Sequence, residues 1–313
     1  MNYLKLESVN SSNKRPLWSV VIPTYNCAHY LKETLSSVLA QDLGPEQMEI
    51  IVVDDHSTKD DPEAVVKQYG QGRVQFIRQA KNVGKVRNYE TGLQATTGLY
   101  IHQLHGDDMV LPGFYKTMTQ LLEAHPKAGA AFCRTLYMDG EGQWTGMTGM
   151  LQEQDGIVAE MLPQLYVKQQ IQTPSMVVKR AVYENIGAFD RRLDCLEDWE
   201  MWIRIAHSYP IAMTKEVLAL YRTHSHNATQ ETFQNGTALT THQAVLNIVD
   251  GYVPPEIKKQ YRALRNQKQA EFLWLSYRGI TASLKPSERL KFMRAILKKE
   301  IKLKYLYGFI KHI

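Results

Sequence analysis

Hydrophobic residues in the first third of the chain gather in short, mostly apolar runs, separated by stretches whose apolar positions are spaced. Trp18–Ile22 (WSVVI), Ile50–Val53 (IIVV), Val74–Ile77 and Tyr100–Leu104 are the runs. Short β-rich runs closed by polar turn residues predict buried parallel strands. Between them, Leu31, Leu35, Val38 and Leu39 share one helical face, and Gly44-Pro45 stops that helix. Pro62 opens a second helix (PEAVVKQY), and a third is expected from about Val86 to Ala95. This β-α-β-α order up to about residue 110 predicts a parallel sheet covered by helices on both faces.

The pattern loosens afterwards. A helix after Pro112, a strand over Ala128–Met138 and a turn-rich hairpin or loop over Asp139–Gly149 are expected next. Ser175–Lys179 reads as strand and Val182–Ile186 as a short helix. Trp199, Trp202, Ile203 and Ala206 mark one face of a helix starting near Glu197, and Val217–Tyr221 is a last strand. Beyond about residue 236 the chain reads as helical, interrupted at Gly251–Pro255. The expected organisation is a polar, flexible lead-in over 1–16, one α/β domain over 17–235 with halves 17–110 and 111–235, and a helical region over 236–313.

Composition narrows the class. With 44% apolar and 22% charged residues the chain is an ordinary globular protein. It has no run of about 18 apolar residues to span a bilayer and no secretory pattern at its start. Cys27, Cys133 and Cys195 form no Cys-x-x-Cys pair and read as reduced thiols, which suits the cytoplasm. The net charge of +5 is local: Lys285–Ile313 holds nine Lys/Arg against two Glu, leaving 28 basic and 30 acidic residues elsewhere. The body of the protein therefore gives no reason to expect nucleic acid.

Three acidic clusters are the candidate chemistry. Asp54-Asp55 and Asp107-Asp108 each follow a predicted buried strand, and carboxyl ends of parallel strands are where open sheets bind ligands. Carboxylates crowded at one edge repel unless a cation or hydrogen-bond donors compensate, and a hard divalent ion shared with phosphate oxygens is one solution. Asp residues that merely cap the following helices are the alternative. The basic turn Asn82-Val83-Gly84-Lys85-Val86-Arg87-Asn88 leads into a helix, where Gly84 allows close backbone approach and Lys85 and Arg87 can neutralise phosphate. The third cluster, Glu197-Asp198 with Glu200, is either a dipole preference at a helix start or a carboxylate poised as general base. Absence of Gly-x-Gly-x-x-Gly and of Gly-x-x-x-x-Gly-Lys-Ser/Thr argues against dinucleotide dehydrogenases and P-loop enzymes.

From about Trp18 to Asn227 the chain resembles the family 2 glycosyltransferases. The matches run in order: Val-Ile-Pro-Thr-Tyr-Asn at 21–26, Val-Val-Asp-Asp-His-Ser at 52–57, Asn-x-Gly at 82–84 and Arg87-Asn88. Gly-Asp-Asp at 106–108, Gly-Ala-Phe-Asp at 187–190, Glu-Asp-Trp at 197–199 and Tyr-Arg-x-His at 221–224 follow. The resemblance implies an α/β GT-A fold, with a mostly parallel central sheet, a nucleotide-binding half over 17–110 and an acceptor-binding half over 111–235. It implies an inverting, metal-dependent transfer of a hexosyl or N-acetylhexosaminyl group from a nucleotide sugar, with UDP favoured, to a glycan or lipid-linked acceptor in cell-surface glycan biosynthesis.

Carried over by position, Pro23 and Tyr25 would line the nucleobase, Asp55 would bind its edge and Asp54 would support the loop. Asn82, Gly84 and Arg87 would help hold the nucleotide. Asp107, with Asp108 and His224, would bind Mn²⁺ or Mg²⁺ at the diphosphate, and Asp198, supported by Glu197, would be the general base. Lys85 and Arg222 are further candidates to support the diphosphate. His105 departs from the resemblance: it stands where the family's Asp-x-Asp-Asp begins, and imidazole is a poorer partner for Mg²⁺. That departure leaves a catalytically weakened sugar-nucleotide-binding module as an alternative, beside a nucleotidyltransferase. Leu290, Met293, Leu297, Ile301 and Tyr305 recur at helical spacing among Lys291, Lys298 and Lys302. Such a tail suits peripheral contact with the inner face of a membrane, or packing on the catalytic domain or on a second subunit as a homodimer.

Overall fold

A computed structural model describes residues 2–9, 14–224, 232, 237–280, 284–302 and 305. It divides into two compact units. The first comprises Met1–Ala159 and Ile171–Thr223, the second Glu160–Gln170 and His224–Ile313.

The first unit opens with β1 (Trp18–Thr24), α1 (Ala28–Leu39), β2 (Met48–Asp54), α2 (Pro62–Tyr69), β3 (Val74–Arg78), α3 (Lys85–Gln94) and β4 (Tyr100–Gln103). These are the elements expected from the apolar runs. β3, β2, β1 and β4 lie side by side, all parallel, with Thr24 beside Asp54 and Val21 beside Gln103. The carboxyl ends of three strands are thereby brought to one edge. Even-numbered side chains of β1 and β2 (Trp18, Val20, Ile22, Met48, Ile50, Val52) enter a core with Leu31, Leu35 and Val38 of α1. On the other face α3 packs on β1 and β2 so closely that a Cβ at Gly92 would collide with Val21 and Val53.

Then come β5 (Met109–Val110), α4 (Phe114–Ala124), β6 (Ala130–Met138), β7 (Trp144–Met147), β8 (Gly156–Ile157), β9 (Met176–Lys179), α6 (Arg180–Ile186), α7 (Glu197–Ser208) and β10 (Ile211–Arg222); α5 (Met161–Val167), between β8 and β9, belongs to the second unit. Strand order continues from β4 through β9, β6 and β10 to β5, with β7 on β6 and β8 on β10. Here the sheet turns mixed: β9 is antiparallel to both neighbours, while β6 and β10 are parallel. The Asp139–Gly149 stretch is a hairpin whose turn is closed by the Asp139 carboxylate, which accepts from the amides of Glu141 and Gln143. Residues 2–9 run along α6 and α7: Leu4 O accepts from Ala188 N at 2.7 Å, Asn2 O from Arg191 N, and Tyr3 lies under the Arg204 guanidinium.

In the second unit α5 joins α8 (Ala238–Val249), α9 (Pro255–Ile280) and α10 (Pro286–Lys299). Tyr166 of α5 donates to Asp250, which also pairs with Arg265 of α9. The apolar stripe expected on the tail is only partly the one that packs. Phe292, Ile296 and Tyr305 are buried against Leu273 and Tyr277, while Leu290 and Ile301 are exposed. Ile301 lies beyond the end of α10 at Lys299, so helical spacing no longer applies to it, while Leu290 lies within the helix on its exposed side. Residues 306–313 of the basic tail, and 225–227 at the end of the resembling stretch, lie outside the described residues. Among the described residues no helix is long and apolar enough to cross a membrane.

The junction of α3 and β4 gives a stability test. A Cβ at Gly98 would stand 2.6 Å from Ser19 Oγ and 2.8 Å from Trp18 C, contacts that only a backbone shift relieves. Gly98→Ala should lower stability by about 1–3 kcal/mol, the usual cost of overpacking, read from urea denaturation. An unchanged midpoint would show that this junction yields freely.

Candidate functional site

The site forms where β1, β2 and β4 end. Pro23 is buried in β1, whereas the next aromatic, Tyr25, stands 48% exposed at the strand's mouth. Asn26, in the left-handed region at φ 52°, ties this turn to the next loop: its Oδ1 accepts from the amides of Thr58 and Lys59.

Asp54 and Asp55 have different surroundings. Asp54 is fully buried and turned into its own loop, accepting from Ser57 N at 3.1 Å and Ser57 Oγ at 2.5 Å, with Arg78 3.4 Å away. Asp55 reaches across to the Asn82–Gly84 turn, one oxygen accepting from Val83 N at 2.7 Å and the other from Gly84 N at 3.0 Å. Burial pushes the Asp55 carboxyl up, and those two amides oppose the push. Asp55 thus positions the start of α3. There Gly84 takes φ 86° with open space where a Cβ would be, and Asn82 and Arg87 are exposed. A helix N-terminus with free amides and an exposed guanidinium is suited to phosphate.

The turn after β4 carries His105, Asp107 and Asp108, whose ligand atoms all lie within 4.8 Å of one another. The turn is held from behind. Thr34 Oγ1 donates to the carbonyls of Gly106 and Asp108, and Gly106 N donates to Pro23 O. Arg222 of β10, almost fully buried, donates through its amide to Asp108 Oδ1 and through Nε to Asp107 O, and its guanidinium pairs with Glu33. Asp108 is 1% exposed, and its Oδ2 has no hydrogen-bond partner. Burial first and the neighbouring Asp107 second push its carboxyl well above the carboxylate range. A carboxyl so placed takes up either a proton or a cation, so the donor set fits a divalent ion.

The start of α7 brings in the third cluster. Leu196, at φ 62°, turns the chain so that Glu197 and Asp198 open the helix. Glu197 is buried, paired with Lys85 Nζ at 2.7 Å and receiving Tyr89 OH at 3.4 Å. Asp198 is half-buried; it accepts from Trp199 N at 2.7 Å and from Thr173 Oγ1 at 3.4 Å. Burial, then Glu197, pushes its carboxyl up to about 7, against the pull of Lys85. Tyr89 links the clusters: its ring stacks on His105 at 5.5 Å, and Glu197, Asp198 and Asp107 all bear on its hydroxyl.

The structure thus gathers Asp107, Asp108, Glu197 and Asp198 around α3. His224 is the first residue of the second unit's longer segment. Lys85 and Arg222, expected near a diphosphate, form ion pairs with Glu197 and Glu33. Sequence reasoning missed Tyr89 and Thr173, which carry no motif signal, and singled out His105 as a departure at the start of the metal motif.

Comparisons with known proteins give the family and the fold. The sequence profile described as Glycosyl transferase family 2 matches residues 19–187. An uncharacterized glycosyltransferase of Methanocaldococcus jannaschii is 28% identical over 222 residues, 66% of this chain and 71% of the relative. The crystal structure of S. aureus TarS in complex with UDP-GlcNAc superposes with TM-score 0.67 at 16% identity, covering 90% of this chain and 80% of that one. The mannosyltransferase PcManGT from Pyrobaculum calidifontis, in complex with GDP-Man and Mn²⁺, gives TM-score 0.59 at 17% identity over 98% and 87% of the two chains. At such identities the two structures establish a shared GT-A-type fold.

Arg222 should be structural in effect. Arg222→Met removes the donors to Asp107 O and Glu33, and the loss of charged hydrogen bonds should cost about 1–3 kcal/mol in urea denaturation. A variant as stable as the parent would contradict the buttressing of the Asp107–Asp108 turn.

Proposed function

The chain belongs to glycosyl transferase family 2, and from that premise we propose that it moves a sugar from a nucleotide-sugar donor, with UDP as the nucleotide, onto an acceptor hydroxyl in one inverting displacement. The observation that carries this reading is Asp198, a carboxyl at a helix start whose proton affinity is raised to about 7 beside the Asp107 turn. A general base works best when its pKa lies near the working pH. Membership of the family sets aside a nucleotidyltransferase.

In this reading the exposed Tyr25 ring offers a stacking face to the nucleobase, and Asp55 accepts from the base edge while its amide contacts hold it in place. The open N-terminus of α3, with Gly84 and Arg87, takes up phosphate charge. Asp107 and Asp108 would hold Mn²⁺ or Mg²⁺, which when bound supplies Lewis-acid stabilisation of the departing diphosphate. Asp198 removes the proton from the acceptor hydroxyl as that oxygen attacks the anomeric carbon from the face opposite the diphosphate. Glu197, held by Lys85 and Tyr89, fixes the start of α7 and keeps the Asp198 carboxyl from ionising too early.

The acceptor class that suits this site is a glycan or lipid-linked sugar on the inner face of a membrane. α10 supports that location: Leu290, Lys291, Arg294 and Lys298 are all exposed on it, an apolar and basic mixture suited to anionic lipid. Full-length protein should sediment with anionic liposomes and a version ending near Pro286 should not; equal sedimentation of the two would remove α10 from any membrane contact.

The transfer itself is tested through Asp198. With donor and a confirmed acceptor, kcat/KM should rise with pH through about 7 and level off above it, because only the ionised carboxylate accepts the proton. Asp198→Asn should lose roughly 10²–10⁴-fold in turnover and lose that acid limb, while UDP binding by calorimetry stays unchanged. Retention of most turnover would disqualify Asp198 and make Glu197 the next candidate.

A further inference from the structure

The geometry points to His105 as an inner ligand of the cation held at the Asp107–Asp108 turn, giving the site a nitrogen-and-oxygen donor set that selects transition ions such as Mn²⁺ and Co²⁺ over Mg²⁺. This rests on the proposed donor-binding role of the same edge and deepens it by naming the class of ion.

Distances come first. His105 Nδ1 lies 3.8 Å from Asp108 Oδ2. Two atoms bound to one ion at about 2.0–2.2 Å each stand roughly 3–4 Å apart, so the pair already has the spacing of shared ligands. The full set with Asp107 spans 4.8 Å, which a small side-chain adjustment on ion binding closes.

The second observation is that Asp108 Oδ2 is buried without a hydrogen-bond partner. A buried carboxylate oxygen with no donor is costly to leave so, and the imidazole nitrogen stands 3.8 Å from it. Were His105 a simple hydrogen-bond donor to it, the two atoms would sit at about 2.7–3.2 Å rather than at 3.8 Å. That wider gap leaves room for an ion between them.

The far side of the ring is also prepared. The Gln103 carboxamide lies 3.4 Å from His105 Nε2, and Gln103 Oε1 is itself buried and unpartnered. The Gln103 amide nitrogen faces the ring in this structure; rotation of that amide on ion binding would let Oε1 accept from Nε2–H. The proton is then held on Nε2 and the Nδ1 lone pair faces Asp108, as the outer hydrogen bond of a metal-ligating histidine requires. Tyr89, stacked on the ring at 5.5 Å and 20°, fixes its plane.

The consequence is selectivity. Mg²⁺ prefers an all-oxygen octahedron and gives up water reluctantly, whereas imidazole favours transition ions in the order of rising affinity from Mn²⁺ to Co²⁺. Affinity at this site should therefore rank Co²⁺ above Mn²⁺ above Mg²⁺.

The test is metal binding in the full chain, with UDP present, by calorimetry and by pulsed electron paramagnetic resonance of bound Mn²⁺ in protein carrying ¹⁵N-histidine. Wild type should show a directly bound ¹⁵N coupling. In a His224→Asn background, which removes the other candidate imidazole, His105→Asp should abolish it and narrow the Mn²⁺ over Mg²⁺ preference by roughly tenfold or more, the scale on which ligand-sphere changes act. Unchanged thermal unfolding of metal-free His105→Asp confirms that the fold is intact. Mn²⁺ and UDP binding with no histidine coupling, or an unaltered preference in the variant, overturns the inference and leaves the transferase reading standing. Failure of wild type to take up any divalent ion with UDP overturns both.

Discussion

Carboxylates crowded at one edge of a buried sheet set the terms for the rest of this molecule. Asp54, Asp55, Asp107 and Asp108 follow strands at the same end, and α7 adds Glu197 and Asp198. In a low-dielectric setting each must find donors, a cation or a proton. Asp54 is satisfied by Ser57 and Arg78, Asp55 by two backbone amides and Glu197 by Lys85. What is left over is where chemistry can occur: an unpartnered oxygen on Asp108 and a carboxyl on Asp198 raised to about 7.

That division separates the motifs that hold the fold from those that face a ligand. Gly-Ala-Phe-Asp at 187–190 is scaffold. The carbonyls of Ile186, Gly187 and Ala188 accept from Arg204, Asp190 pairs with Arg192, and a Cβ at Gly187 would press on Tyr3. Arg222, within a matched motif, likewise serves the turn from behind. Tyr25 and Asp107 after strands, and Arg87 and Asp198 at helix starts, by contrast, retain exposed or half-exposed surface. In the proposed transfer, exposure more than membership of a motif would mark the residues available to donor and acceptor.

α3 is the part that couples the clusters. Its start is set by Asp55, its Lys85 holds Glu197, and its Tyr89 touches both His105 and Glu197. Close packing of Gly92 on β1 and β2 keeps the helix in place. A shift of α3 would therefore change the surroundings of the Asp107–Asp108 turn and of Asp198 together, so in the proposed transfer donor binding and proton removal would share one support.

Local pattern alone determined much of this protein. The apolar runs located β1 to β4, the turn residues located both Asp-Asp pairs at strand ends, and the order of short motifs identified the family. These features are legible because strand burial, helix periodicity and turn chemistry depend on residues near one another in the chain. The pairing of Lys85 with Glu197, of Arg222 with Glu33 and the recruitment of α5 into the second unit link residues far apart in sequence. No periodicity records such contacts. The same holds for Asp198, whose carboxyl is pushed up first by burial, which only the tertiary structure sets. His105 could be recognised as a partner of Asp108 only once the turn folded the two side chains to 3.8 Å.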